Sequence, residues 1–237
     1  MNGHLETAGT VTVILAALAV TSSVVHREFF NPGAAVGASG AVQGAVLSER
    51  PTEPVYIEDW RGLLERGTQI GADPAAVEMV VFTDFQCPYC QRFHAAYRNA
   101  KALLGNDFRL TYLHYPLTTH PHAEQAAQAA ECAGAQGQFS AFADALFEQQ
   151  ASIGIKSWMS YADGVGIPDT ATFNRCAASD SHSEKITKGK EEGVALGVTG
   201  TPTVIINGWR LPRPPHDSLA EVIEAILDGR PPYSSAG

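Results

Sequence analysis

Only four of the 237 residues are cysteine, too few for a small scaffold held together by disulfides, so the core has to come from the apolar 45% of the chain. Runs of Lys or Arg are missing. Sixteen basic residues stand against 25 acidic ones, a net charge of −9, which argues against a nucleic-acid partner because phosphate binding needs concentrated positive charge. The pair Cys87 and Cys90 also has no second Cys-x-x-Cys and no His-x-x-x-His with which to complete a tetrahedral zinc site. His94 lies four residues after Cys90, on the same face of any helix that runs through both, but two side chains do not make a zinc centre. No metal and no organic cofactor is expected.

Charge is absent from Ala8 to Val25 ("AGTVTVILAALAVTSSVV"), a stretch which as a helix would span about 27 Å, close to the thickness of a bilayer core. The basic region that opens a signal peptide is missing, so residues 1–30 read as a membrane anchor, with a cleaved signal segment as the alternative. Arg27, beside Glu28, is a weak vote for keeping the following side in the cytoplasm. Residues 31–54 are rich in Gly, Ala and Pro and read as a flexible linker, leaving residues 55–237 as one domain.

Within that domain the periodicity changes several times. "IEDWRGLLERG" has helical spacing at Trp60, Leu63 and Leu64, with Gly67 as its stop, and "TQIGADPAAV" reads as a turn. Val77 to Phe85 is apolar on both alternations, as in a central strand covered on both faces. A helix opened by Pro88 follows, with Phe93, Tyr97, Ala100 and Leu104 on one stripe, and then a strand from Phe108 to about Tyr115. This is a βαβ unit. Four helical segments and a longer amphipathic one occupy about 120–196, the last presenting Lys185, Lys188, Lys190, Glu191 and Glu192 as a solvated face. A strand Thr203 to Ile206, an Asn207-Gly208 turn, a returning strand Trp209 to Leu211 and a closing helix Ser218 to Leu227 complete a ββα unit.

The Cys87-Pro88-Tyr89-Cys90 stretch sits where the first strand gives way to the helix. As a structural crosslink it would close so short a loop that the unfolded chain would lose little entropy. Redox chemistry fits better. At a helix N-terminus the free backbone N–H groups and the helix dipole favour an anion, so Cys87 is expected to be a low-pKa nucleophile. Cys90, one turn inside, is shielded and suited to resolving a mixed disulfide. Pro88 and Tyr89 set the surroundings of the Cys87 sulfur.

The ordered set "VVFTDFQCPYC", "HYPLTTHPHAEQAAQAAECA", Phe173 to Cys176 and "GVTGTPTVIING" resembles the DsbA-like thioredoxin-fold proteins of bacterial cell envelopes, from about Val55 to Leu227. The resemblance implies an α/β thioredoxin fold with an all-helical insertion between its βαβ and ββα halves. It implies that Thr201 and Pro202 form a cis-proline loop against the redox pair, and that Cys132 and Cys176 join two insertion helices, a bond that persists only outside the reducing cytoplasm. It also implies a thiol:disulfide oxidoreductase that puts disulfides into reduced secreted proteins. A reductase or isomerase of the same fold, or a non-catalytic peptide-binding chaperone, are the alternatives. Its partner would be a membrane oxidase of the DsbB or vitamin K epoxide reductase type. Relatives commonly carry a buried acid six positions before the first cysteine, where this chain has Val81. Asp84 is the nearest carboxylate, either standing in for that acid or serving as an ordinary strand-end residue. His114 and His120 also resemble family positions, with structural roles expected.

Overall fold

The computed structural model describes residues 52–105 and 107–232. The expected anchor and most of the expected linker lie outside these residues. Among the described residues, no helix is long and apolar enough to cross a membrane.

Six strands form one sheet: β1 (Val55–Tyr56), β2 (Thr68–Gly71), β3 (Val77–Thr83), β4 (Phe108–His114), β5 (Thr203–Ile206) and β6 (Trp209–Arg210), in the spatial order β1-β6-β5-β3-β4-β2. Only β3 and β4 run parallel; the other neighbours are antiparallel. Strand β3 lies inside the sheet, and its alternation explains why its sequence is apolar throughout. Val77, Met79 and Val81 enter one core with Leu110, Tyr112, Val204 and Ile206, while Val80 and Phe82 enter a second core with Trp60, Leu63, Leu113 and Ile205. Each such fully buried side chain contributes about 1.5–3 kcal/mol.

Eight helices surround the sheet among the described residues: α1 (Arg61–Leu64), α2 (Pro88–Leu104), α3 (Ala123–Gly134), α4 (Phe139–Glu148), α5 (Trp158–Val165), α6 (Thr170–Ala177), α7 (Ser183–Ala195) and α8 (Leu219–Leu227). Helices α3 to α7 separate the βαβ and ββα halves, giving the thioredoxin fold with its helical insertion. The Ala-rich face of α3 (Ala126, Ala129, Ala130, Ala133) is buried in the main core, small side chains allowing its neighbours close approach. A disulfide between Cys132 and Cys176 ties α3 to α6. In the chain-entropy picture, a loop of this length is worth roughly 4 kcal/mol.

Three local expectations need correction. "TQIG" is a strand, not a turn: β2 pairs antiparallel with β4 at the sheet edge, from Thr68 opposite Tyr112 to Gly71 opposite Arg109. Ile70 is its one buried side chain, so no alternation announced it. Gly67 does not stop a helix, since α1 ends at Leu64; instead a Cβ there would lie 2.4 Å from Thr111 Cγ2 and 2.5 Å from the Tyr112 carbonyl oxygen. The glycine lets the chain pass tightly over β4. The first long strand also ends at Thr83 rather than Phe85.

Helix α7 is more than a solvated face. A Cβ on Gly189 would meet the His114 carbonyl oxygen at 2.4 Å, and one on Gly193 the Tyr115 ring at 2.4 Å, so two glycines one turn apart set the helix against the end of β4. Lys185 of α7 is bonded to Glu131 of α3 at 2.8 Å and also to Thr68 of β2. Glu131 further accepts from Thr68 at 2.6 Å and pairs with His114 at 2.8 Å. One buried carboxylate thus joins α3, α7, β2 and β4. Burial pushes its pKa up, but the hydrogen bonds and charges of His114 and Lys185 outweigh that and hold it at about 2.

Two outcomes follow. A carboxyl whose pKa is depressed on folding stabilises the fold above its unfolded value, and that contribution is lost as pH falls through the folded value. Urea unfolding of the wild type should therefore lose about 3 kcal/mol between pH ~4.5 and pH ~2 that Glu131→Gln does not lose. Gly189→Ala, which in an exposed helix would stabilise by up to about 1 kcal/mol, should here destabilise by about 1–3 kcal/mol, because the contact is with backbone. Thermal unfolding reads the sign directly.

Candidate active site

Strand β3 leads through Asp84–Gln86 into α2, so the helix starts beside the C-terminal end of the central strands. Cys87 is the N-cap, with an extended backbone (φ −76°, ψ 121°), and Pro88 takes the first helical position, where its missing N–H costs nothing. The helical phase then sorts the next residues. Tyr89 points outward and is 55% exposed, whereas Cys90 points in and is buried against the main core with Phe93 and Tyr97. Both thiols are free.

The loop before β5 meets the first sulfur. Thr201-Pro202 is a cis peptide, and Cys87 Sγ donates to the Thr201 carbonyl oxygen at 3.3 Å. The Thr201 hydroxyl is buried with no partner in the dithiol form. The Cys87 thiol is lowered to about 5. The main cause is the hydrogen bond from Cys90; burial opposes it, and the Thr201 side chain and the backbone N–H groups of Cys90 and Tyr89 add to the lowering. The helix start therefore contributes as its sequence suggested, but the neighbouring thiol contributes more. Cys90 moves the other way, its thiol pushed well above the usual range by burial first, and then by the thiolate it supports.

Asp84 is a structural carboxylate. One oxygen accepts from Gln86 N at 2.7 Å, the other from Leu117 N at 2.8 Å and pairs with His120 at 2.8 Å, so it fixes the loop that carries Cys87. His114 and His120 are each committed to a carboxylate, Glu131 and Asp84. Val81 is buried in the core that holds both sulfurs and brings no polar atom there.

Other contributors carry weaker sequence signals. Gln150, in the turn after α4, donates to the carbonyl oxygens of Phe85 and Cys87 at 2.8 and 3.0 Å, bracing the N-cap from the insertion. His94 is not a ligand awaiting a metal: its Nδ1 meets the Tyr112 hydroxyl at 2.7 Å, its Nε2 meets Asp144 at 2.6 Å, and its ring stacks on Phe147. The spacing from Cys90 to His94 put the imidazole on the helix face of Cys90. Asp144, from the insertion, had no such signal. A groove of about 560 Å³ lies beside the first turns of α2, lined by Tyr89, Arg92, Pro212, Arg213 and His216. Arg92 stacks over the Tyr89 ring at 4.7 Å.

Set against known proteins, the chain matches the family described as Thioredoxin from residue 64 to residue 225. Its fold is similar to a thioredoxin-like oxidoreductase from Silicibacter pomeroyi DSS-3, with a TM-score of 0.58, 25% identity, and coverage of 71% of this chain and 96% of that one. It is also similar to oxidised BdbD from Bacillus subtilis, with a TM-score of 0.61, 19% identity, and coverage of 75% and 97%. A curated relative, the Na(+)/H(+) antiporter NhaA 1 of Mycolicibacterium vanbaalenii, is 32% identical over 184 residues, which is 76% of this chain. The chain spans under a third of the length of that relative, 29%. A helical insertion separates the two halves of the fold, and with the family match running over well more than half of its length the chain belongs to the thioredoxin family.

Proposed function

We propose that this chain is a protein disulfide oxidoreductase that introduces disulfides into reduced polypeptides by exchange at Cys87 and Cys90. The observation that carries this reading is the split between the two sulfurs: Cys87 is held as a thiolate with a pKa of about 5, and Cys90 is held as a thiol. Thiolate character makes Cys87 a good leaving group and the reduced form the comfortable one, so the disulfide form is driven to take electrons. A substrate thiolate attacks Cys87 Sγ, the Cys87–Cys90 bond breaks, and Cys90 leaves with the electron pair. A second substrate thiolate then attacks the substrate sulfur of the mixed disulfide and releases Cys87 as a thiolate. Two electrons have passed to the enzyme, and the substrate holds a disulfide.

Tyr89 and the backbone around Thr201 and Pro202 offer the substrate a surface beside the reactive sulfur, as extended-peptide recognition requires. The Cys132–Cys176 bond supports an oxidising compartment, hence an extracytoplasmic position. In this reading residues 1–30 tether the domain to the membrane through the linker, and a DsbB-like or vitamin K epoxide reductase-like membrane protein reoxidises it. Antiport belongs to relatives of which this chain matches under a third, and is no part of the proposal.

Cys87→Ser should abolish disulfide transfer to a reduced test protein without changing the fold seen by circular dichroism; retained transfer would remove Cys87 as the nucleophile. In the reduced wild type, iodoacetamide should alkylate Cys87 with a rate that rises through pH ~5 and is flat by pH ~7. The equilibrium potential of the couple should lie nearer about −120 mV than about −270 mV. A value at the lower end would assign the chain to disulfide reduction or isomerisation instead.

A further inference from the structure

The groove beside the first turns of α2 carries a charge opposite to that of the chain. It encloses about 560 Å³, and Arg92 and Arg213 stand in its lining in a protein whose net charge is −9. Both are exposed, and neither is in a salt bridge among the described residues, whereas Arg66, Arg98, Arg109 and Arg230 each have a carboxylate partner. His216, also in the lining, has its pKa lowered by burial first and then by Arg92, with Asp217 opposing, so its ring is neutral at pH 7. The positive charge of the groove is therefore that of the two arginines.

These arginines are held more firmly than an ordinary surface pair. Tyr89 and Arg92 lie three residues apart on α2 and share a face, with the guanidinium over the ring at 4.7 Å. Arg213 stands between Pro212 and Pro214, whose rings fix φ, and the His216 N–H donates to the Pro214 carbonyl oxygen at 3.0 Å. A loop set in this way loses little freedom when a partner binds. The groove is also close to the reacting sulfur. Arg92 is five residues beyond Cys87, ~7.5 Å along the helix axis. An extended peptide advances about 3.3 Å per residue, so a polypeptide whose sulfur meets Cys87 has residues roughly two to four positions away at the groove.

We infer that Arg92 and Arg213 determine specificity by selecting reduced polypeptides that carry Asp or Glu roughly two to four positions from the reacting cysteine. The inference rests on the redox reading given above and adds to it the class of substrate. A guanidinium offers a carboxylate two parallel N–H groups and keeps its charge at any pH at which thiols exchange. The net negative charge of the chain repels acidic polypeptides as a whole, so a carboxylate gains where these arginines stand, next to the sulfur.

The test is oxidation of reduced dithiol peptides by the disulfide form of the full chain. The peptides differ only in a Glu, Gln or Lys placed roughly two to four residues to either side of the attacking cysteine. An acidic neighbour also makes the peptide thiol harder to ionise, so each rate is divided by that of the same peptide with neutral hydroxyethyl disulfide. At low ionic strength the best-placed Glu peptide should exceed its Gln counterpart by about three- to tenfold in kcat/KM, with the Lys peptide below both. The preference should shrink to within about twofold at about 0.5 M salt, where exposed charges are screened. It should vanish in the Arg92→Gln, Arg213→Gln double variant and turn towards Lys in Arg213→Glu. Arg98→Gln, an exposed arginine of the same helix that is paired with Glu148, should keep it. Equal normalised rates for the three peptides in the wild type, or a preference that persists in the double variant, would overturn the inference and leave the redox reading standing. Binding to phosphatidylglycerol vesicles that needs both arginines, together with equal peptide rates, would assign the groove to a lipid surface and overturn it as well. A wild type that oxidises none of the peptides would overturn both readings. Should a variant fail to fold, the wild type alone decides, since a Glu preference that salt leaves unchanged would sink the inference.

Discussion

The chemistry of this domain depends on a single constraint: two sulfurs three residues apart, both buried in one core, are delivered by one helix to different partners. Cys87, at the N-cap, meets the loop at Thr201 and the free N–H groups of the first turn. Cys90, most of a turn further on, faces a core of aromatic and aliphatic side chains. Each environment reinforces the other. The thiol that burial keeps protonated is the largest single donor to the thiolate, and the thiolate raises the thiol in return. Neither sulfur would have its character in the other's position, so the register of α2 against β3 is what the rest of the fold has to hold.

Several elements hold that register. Asp84 uses both carboxylate oxygens to fix the turn between β3 and α2, Gln150 reaches in from the insertion to two carbonyls of the same turn, and the stripe from Cys90 to Ala100 locks the helix onto the sheet. Asp84 is therefore spent on backbone, with one oxygen on Gln86 N and the other on Leu117 N and His120.

Much of this was legible in the sequence. The apolar run of β3, the Pro88 start, the stripe of α2 and the Asn207-Gly208 hairpin each carry a local signal strong enough to survive tertiary context, and the structure has β3, α2, β5 and β6 where those signals put them, within one or two residues. Strand β2 was not legible because an edge strand with one buried residue has no alternation to read. Gly67 looked like a helix stop because glycine marks both helix ends and close approaches, and only the position of β4 distinguishes them. The charges of α7 hid the glycines that matter, since Gly189 and Gly193 are defined by what they touch and not by their neighbours in sequence. At the candidate site, local sequence put Cys87 and Cys90 at a helix start and the family resemblance brought Thr201 and Pro202 to them, but Asp144, 57 positions beyond Cys87, had no signal.

The helical insertion accordingly helps to frame the candidate site and is not an appendage to it. Its α4 supplies Phe147, which packs on Phe85 at 5.0 Å and stacks on His94 at 4.6 Å, and whose carbonyl accepts from Gln91 at 2.5 Å. The following turn supplies Gln150 to the N-cap. These contacts are made only while α3 and α4 keep their places over the sheet, and α3 is held there by a covalent bond to α6 and by the Glu131 cluster, which ties it to β2, β4 and α7. The Cys132–Cys176 crosslink thus supports the surroundings of Cys87 and Cys90 by a mechanical route: crosslink to α3, α3 to α4, α4 to the residues that frame the start of α2.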